Sequence, residues 1–262
     1  MNSLTKTRIE SIDIFRGIVM VILVLVFSSC TSTMYVPNMI NVPMFEKKGQ
    51  LNTTLTLRDL QVAYAATNNI GFTLNGHYRP INFLPFMYEA DQMENKNQGL
   101  DMAFTYYKAL EKTSNEMLIG YGQGSTSFSY DRYGGGPGVN IYGGSSNFRK
   151  YYLQYDFIWL TRKKTKWTFT TKLDVVTLID FKDTQENPLP NCASLIFAPG
   201  LSMKKTFEEF TMLVQVQCPL PSAVEENKLS YSYWGEYPPF HSMVMLKIGL
   251  GIDYNLGNKK KE

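Results

Sequence analysis

Three cysteines, two histidines and a set of charges spaced along alternating segments are the side chains that could do chemistry in this chain. Cys30 is the most informative. It follows Ser28-Ser29, behind the apolar run Gly17–Phe27, and Lys6, Arg8 and Arg16 precede that run. A basic stretch, a short apolar stretch and small residues before a cut make a secretory signal. With cysteine first after the cut, Ser28-Ser29-Cys30 fits a lipobox. The chemistry expected is therefore acylation. Cys30 takes a thioether-linked diacylglyceryl and an N-linked palmitate-type chain, and two such attachments are what stable anchoring needs. The apolar run would span about 16 Å as a helix, well short of the ~30 Å hydrocarbon core, so it is not read as a permanent membrane helix.

The other thiols, Cys192 and Cys218, flank a hairpin expected to turn near residue 205. A regular antiparallel register would set them nearly opposite, and an exported chain meets an oxidising compartment, so a disulfide is expected. Two free thiols are the alternative, because a one-residue slip breaks the geometry. His77 is read as facing a barrel interior. His241-Ser242 stands where a loop meets the last strand. A lipid-cleaving site would need a carboxylate beside that pair, and no spacing supplies one, so no catalytic residue is assigned. No cofactor and no metal site are expected. Gly134-Gly-Gly-Pro-Gly138 lacks the Gly-Lys-Ser/Thr ending of a phosphate loop and reads as a flexible connection.

The elements that must position these residues repeat with period 2. Tyr151, Leu153, Tyr155, Phe157 and Trp159 alternate with Lys150, Gln154 and Asp156. Trp167, Phe169, Leu173, Val175 and Ile179 alternate with Thr168, Thr170, Lys172 and Asp174. Val244 to Tyr254 alternates with Lys247, Gly249, Gly251 and Asp253. Similar runs begin near residues 60, 70, 100, 117 and 210, with weaker ones at 48–56 and 193–204. About ten strands result. The polar face is rich in Gly, Ala, Ser and Thr, which suits a crowded barrel lumen. Large rings cluster toward strand ends, as interfacial girdles do. An all-β fold follows: one antiparallel up-and-down barrel of the outer-membrane type. Its lumen would hold a polar network of Asp101, Lys150, Asp156, Lys172, Asp174, Lys247 and Asp253, paired across the interior and largely filling it.

Loop lengths alternate. Long connections at 78–98, 129–146, 181–191 and 219–240 are separated by short ones at 111–115, 162–166 and 204–209. Short periplasmic turns against long outer loops are the usual asymmetry of such barrels. The first hairpin, turning at Arg58-Asp59, departs from it. The organisation expected is a lipoprotein signal at 1–29, a lipidated tether at 30–47, the barrel at 48–256 and a charged tail at 257–262. An even strand number puts Cys30 and Glu262 on one side, the periplasmic one. Seventeen Tyr and sixteen Phe accompany a formal net charge of +3 with no basic cluster, which argues against a nucleic-acid partner.

Met34-Tyr-Val-Pro-Asn38, Asn41-Val-Pro-Met-Phe45, Glu46-Lys-Lys-Gly49, Leu60-Gln-Val-Ala-Tyr-Ala-Ala66 and Asn69-Ile-Gly-Phe-Thr-Leu-Asn-Gly76 follow the lipobox in order. Over residues 30–77 the chain resembles a little-characterised family of Bacteroidota outer-membrane β-barrel lipoproteins. The resemblance implies a Gram-negative envelope, an acylated Cys30 and a barrel, and it carries no catalytic motif. Surface-exported lipoproteins of that phylum often bear acidic residues after the cysteine. Thr31-Ser-Thr-Met-Tyr35 has none, which favours a periplasm-facing anchor. The function expected is a non-enzymatic structural or contact component of the envelope. Its partners would be outer-membrane lipid and a second envelope protein. A narrow channel for a small or hydrophobic solute and a lipid-tethered soluble barrel are the alternatives.

Overall fold

A computed structural model describes residues 35, 37–56, 58–79, 93–131, 141–161, 165–183, 186–207, 210–222 and 245–255. Cys30, His241 and Ser242 lie outside them. Runs of aromatic and branched residues with period 2 form β1 (Gln50–Leu55), β2 (Asp59–Ala65), β3 (Ile70–Arg79), β4 (Met93–Ala109), β5 (Thr113–Asp131), β6 (Ile141–Leu160), β7 (Thr165–Asp183), β8 (Cys192–Thr206), β9 (Thr211–Gln217), β10 (Leu220–Pro221) and β11 (Met245–Asn255). Each of β1 to β8 pairs with the next, β8 pairs with β9, β9 with β11, and β11 returns to β1. The result is a closed antiparallel barrel of ten strands. The two-residue β10 stands outside the ring and continues the register of β9 along β8, with Leu220 opposite Phe197.

Closure removes every sheet edge but demands tilt. Carried from partner to partner round the ring, the register returns to β1 displaced by about twelve residues, and ten strands with that shear tilt by about 40°.

One end carries tight turns. Leu110 N–H donates to the Thr113 carbonyl at 2.8 Å, and Phe207 N–H to that of Phe210 at 2.9 Å. Thr67 Oγ1 accepts from the backbone of Asn69 and Ile70. Gln50 and Asn255 are opposite each other at this same end, as an even strand number requires. The long connections all leave from the other end. There β4, β5 and β6 extend further than the sequence suggests, to Met93, Asp131 and Ile141. Their outward residues change on the way from Met102, Tyr121 and Tyr151 to Gln98, Gln123 and Asn147, so the extensions present polar side chains where the lower wall presents apolar ones. A bulge sits in the extended part of β7, where the pairing slips between Ser145 and Asn147. Asp180 takes the left-handed conformation there, with φ 53°. The extra residue turns Phe181 into the lumen, where it is buried. Strict alternation predicted the opposite side for it.

The two faces have inverted polarity. Outside, Tyr151 is 62% exposed and Ile248 63%, while inside Lys150 and Gln154 are both 0%. A belt of Leu, Ile, Phe, Val and Met girdles the barrel. Trp159 and Trp167 stack at 6.4 Å near its short-turn edge, and Tyr121 meets Tyr151 at 5.2 Å near the other. Tyr151 to Trp159 is a nine-residue stretch, the length of a tilted strand crossing a hydrocarbon core.

Candidate functional site: a lumen filled by the N-terminal segment

Every charge assigned to the lumen from the sequence points inward, but the charges do not form one network. Lys150 bonds Asp101 at 2.8 Å, and Lys172 bonds Asp174 at 2.9 Å. Asp253 receives Lys204 at 2.6 Å, and Lys247 lies 3.8 Å from Asp59. Asp156 forms no ion pair with a lysine among the described residues. It accepts from Thr170 Oγ1 at 2.5 Å and Gln154 Nε2 at 2.8 Å. The Lys150–Asp101, Lys204–Asp253 and Lys247–Asp59 contacts join strands separated by one other strand, and the rest join neighbouring strands or residues two apart on one strand. The inward side chains of a ten-stranded ring leave an axial space that they do not close by themselves.

That space holds the chain's own N-terminal segment. Residues 35 and 37–45 are buried, so the tether expected over 30–47 is, in its described part, a plug. Tyr35 packs edge-on against Phe148 with ring centroids 5.0 Å apart, in an apolar cluster with Leu178, Phe181 and Ile196. Asn38 lies between the members of the Asp101–Lys150 pair. Its Nδ2 donates to Asp101 and its Oδ1 accepts from Lys150. Ile40 N–H donates to Gln217 Oε1 at 2.9 Å, and its carbonyl accepts from Gln61 Nε2 at 3.3 Å. The Asn41 carbonyl accepts from Gln154 Nε2 at 2.6 Å, and the Pro43 carbonyl from Asn52. Nearer the short turns, Glu116 accepts from Met44 N–H at 3.1 Å and Phe45 N–H at 2.5 Å. Lys166 donates to the Met44 carbonyl at 3.1 Å and pairs with Glu46 at 2.8 Å.

The physical logic is a general one. A segment without secondary structure has backbone donors and acceptors that must be satisfied if it is buried. Here β1, β2, β5, β6, β7 and β9 each send a side chain to do so. Met44 adopts φ 56°, a conformation that branched and bulky residues avoid, and so aims two successive N–H groups at one carboxylate. Phe45 fills the space beside Ala63, Ala65 and Tyr107. Gly49, at φ 80°, turns the chain into β1, where its N–H donates to the Ala65 carbonyl at 2.8 Å.

This path runs along the barrel axis from one end to the other. Tyr35 sits with Phe148 toward the long-loop end, and Gly49 lies at the short-turn end beside Gln50 and Asn255. The described chain therefore enters the barrel from the long-loop end and crosses the lumen before β1 begins. Strand parity places Gln50 but says nothing of the segment before it.

The expected disulfide is absent. Cys192 and Cys218 are free. The β8–β9 turn falls at Phe207–Phe210, so Cys218 N–H donates to the Pro199 carbonyl at 3.0 Å, seven residues along β8 from Cys192. Cys192 is instead buried in the apolar cluster around Tyr35. His77 faces the lumen as expected, with Nε2 2.9 Å from Asn97 Oδ1 and its ring stacked near Phe148. Glu116, Lys166, Lys204 and Asp59 were not identified from the sequence. The phase of Met117 and Ile119 already implied an inward Glu116, but Lys166, Lys204 and Asp59 fall within stretches read as turns, which give no face. In the β1–β2 turn, burial lowers the pKa of half-buried Arg58, against the opposing effect of Asp59. No family model matches the chain, and no curated protein matches it.

Proposed function

We propose that this chain is a lipid-anchored barrel of the outer membrane, closed by its own N-terminal segment, that acts as a structural or contact component of the envelope rather than as an open pore or an enzyme. One observation carries the reading: the barrel is apolar outside and polar and charged inside. A water-soluble barrel needs the reverse, because burying unpaired charge while exposing rings to water is costly. In a bilayer the same arrangement is the favourable one. The basic-then-apolar signal ending in Ser28-Ser29-Cys30 supports the lipid anchor. The plug argues against free passage of solute. Side chains of the types that line channels or catalytic centres, including Asp101, Lys150, Glu116 and His77, are bonded to the plug or to their neighbours. The long loops, which carry several Tyr and Trp234 by sequence, supply the surface for a second envelope protein.

The test is membrane extraction of a Cys30→Ser chain exported by a cleavable non-lipid signal. The protein is expected to stay with the outer-membrane fraction through carbonate and high salt, and to show heat-modifiable gel migration. Release as a soluble periplasmic protein would instead establish a tethered soluble barrel.

A further inference from the structure

The path of the N-terminal segment decides where a lipid on Cys30 can reach. We infer that the acyl anchor is held in the leaflet at the long-loop end of the barrel, opposite the end that carries Gln50 and Asn255; this rests on the lipid-anchored reading above. Three observations lead there. Tyr35 is fixed against Phe148 at the level where the outward face of β6 changes from Tyr151 to Arg149 and Asn147, the outer edge of the apolar belt. Cys30 is five residues before Tyr35, a reach of at most about 18 Å. From Phe148 to Leu160, at the short-turn end, the strand covers twelve residues, or about 30 Å along the barrel axis at that tilt. The lumen on that route is already occupied by residues 38–45 and the side chains bonded to them. An anchor at the short-turn end is thus out of reach, while the near leaflet is within it.

The shape of the wall fits the same exit. The first hairpin is short: β1 stops at Leu55 and β2 starts at Asp59, while β3 runs on to Arg79 and β11 begins at Met245. Pairing of β11 with β1 covers only Leu250–Asn255, although its pairing with β9 continues to Met245. The wall is lowest at β1 and β2, on the long-loop side. The lowered wall faces Tyr35 across the lumen, since Tyr35 packs on β6, β7 and β8, and it opens the long-loop end toward the bilayer surface. With the long loops outside the cell, the proposal makes the protein a surface lipoprotein whose N-terminal segment is drawn through its own barrel.

The experiment places single cysteines in the full acylated chain, in a Cys192→Ala, Cys218→Ser background where Cys30 is blocked by its thioether. Thr33→Cys reports the N-terminal end, Gly135→Cys a long loop and Lys260→Cys the C-terminal end. Cells are treated with a membrane-impermeant maleimide before and after outer-membrane permeabilisation. Thr33→Cys and Gly135→Cys are expected to label together in one condition, and Lys260→Cys only in the other. Labelling of Thr33→Cys in step with Lys260→Cys overturns the inference. Carbonate extraction of the same strains keeps the two proposals apart. A protein that leaves the membrane fails the membrane reading, whereas one that stays but has its N-terminus with its C-terminus fails only the threading.

Discussion

Asp101, Lys150 and Asn38 form a buried polar group in the lumen, and their balance is set by burial. Asp101 and Lys150 have almost no exposed side-chain surface. Removing one member of a buried pair leaves the other charged and desolvated, which costs about 3–5 kcal/mol, whereas replacing both with apolar residues of similar size is often close to neutral. Lys150→Met is therefore expected to lower barrel stability by about 3 kcal/mol or more, and Asp101→Leu combined with Lys150→Met to recover most of it. Urea unfolding in lipid vesicles measures both. Equal losses in the single and double variants would show that the pair is not what holds the site. At this scale the sequence was informative about facing but not about partners. Alternation placed Asp101 and Lys150 inside. It was silent on Asn38, because an aperiodic segment gives no face to read.

Among the strands, the outward faces make the membrane claim testable. Leu173 sits midway along the outward face of β7, beyond Trp167 and before Val175. Arg at the middle of a lipid-facing belt costs about 2–4 kcal/mol and close to nothing near the interface. Leu173→Arg should therefore destabilise the folded barrel by that amount, measured as the urea midpoint in vesicles, and Gln123→Arg should change it little. A soluble barrel would tolerate both substitutions equally. Strand positions were legible because period 2 persists through nearly every element. Their ends were less so. The β8–β9 turn was expected near residue 205 and closes at Phe207–Phe210, and that shift alone removes the Cys192–Cys218 pairing. The β7 bulge at Asp180 was hidden because one inserted residue leaves the composition unchanged.

Considered as a whole, the molecule is a ring whose interior is finished by the chain that precedes it. Ten strands at this shear leave more room than their side chains fill, and the plug takes up the space and bonds inward side chains of β1, β2, β5, β6, β7 and β9. The intact protein is expected to show no steady conductance in planar bilayers, while deletion of residues 34–45 should open one and lower the unfolding temperature. Should the deletion fail to fold, Glu116→Ala, which frees the Met44 and Phe45 N–H groups, is expected to give intermittent openings. Conductance of the intact protein equal to that of either variant would rule the plug out. The sequence by itself determined the all-β class, the approximate strand number and which face of each strand is apolar, because those follow from residue-by-residue alternation, a local property. Only the tertiary structure decided that residues 37–45 lie inside, that Tyr35 and Gln50 stand at opposite ends, and that the two cysteines are apart. These depend on closure and register, where a displacement of a few residues at one turn propagates along a whole strand, and on the volume left at the axis, which no single segment encodes.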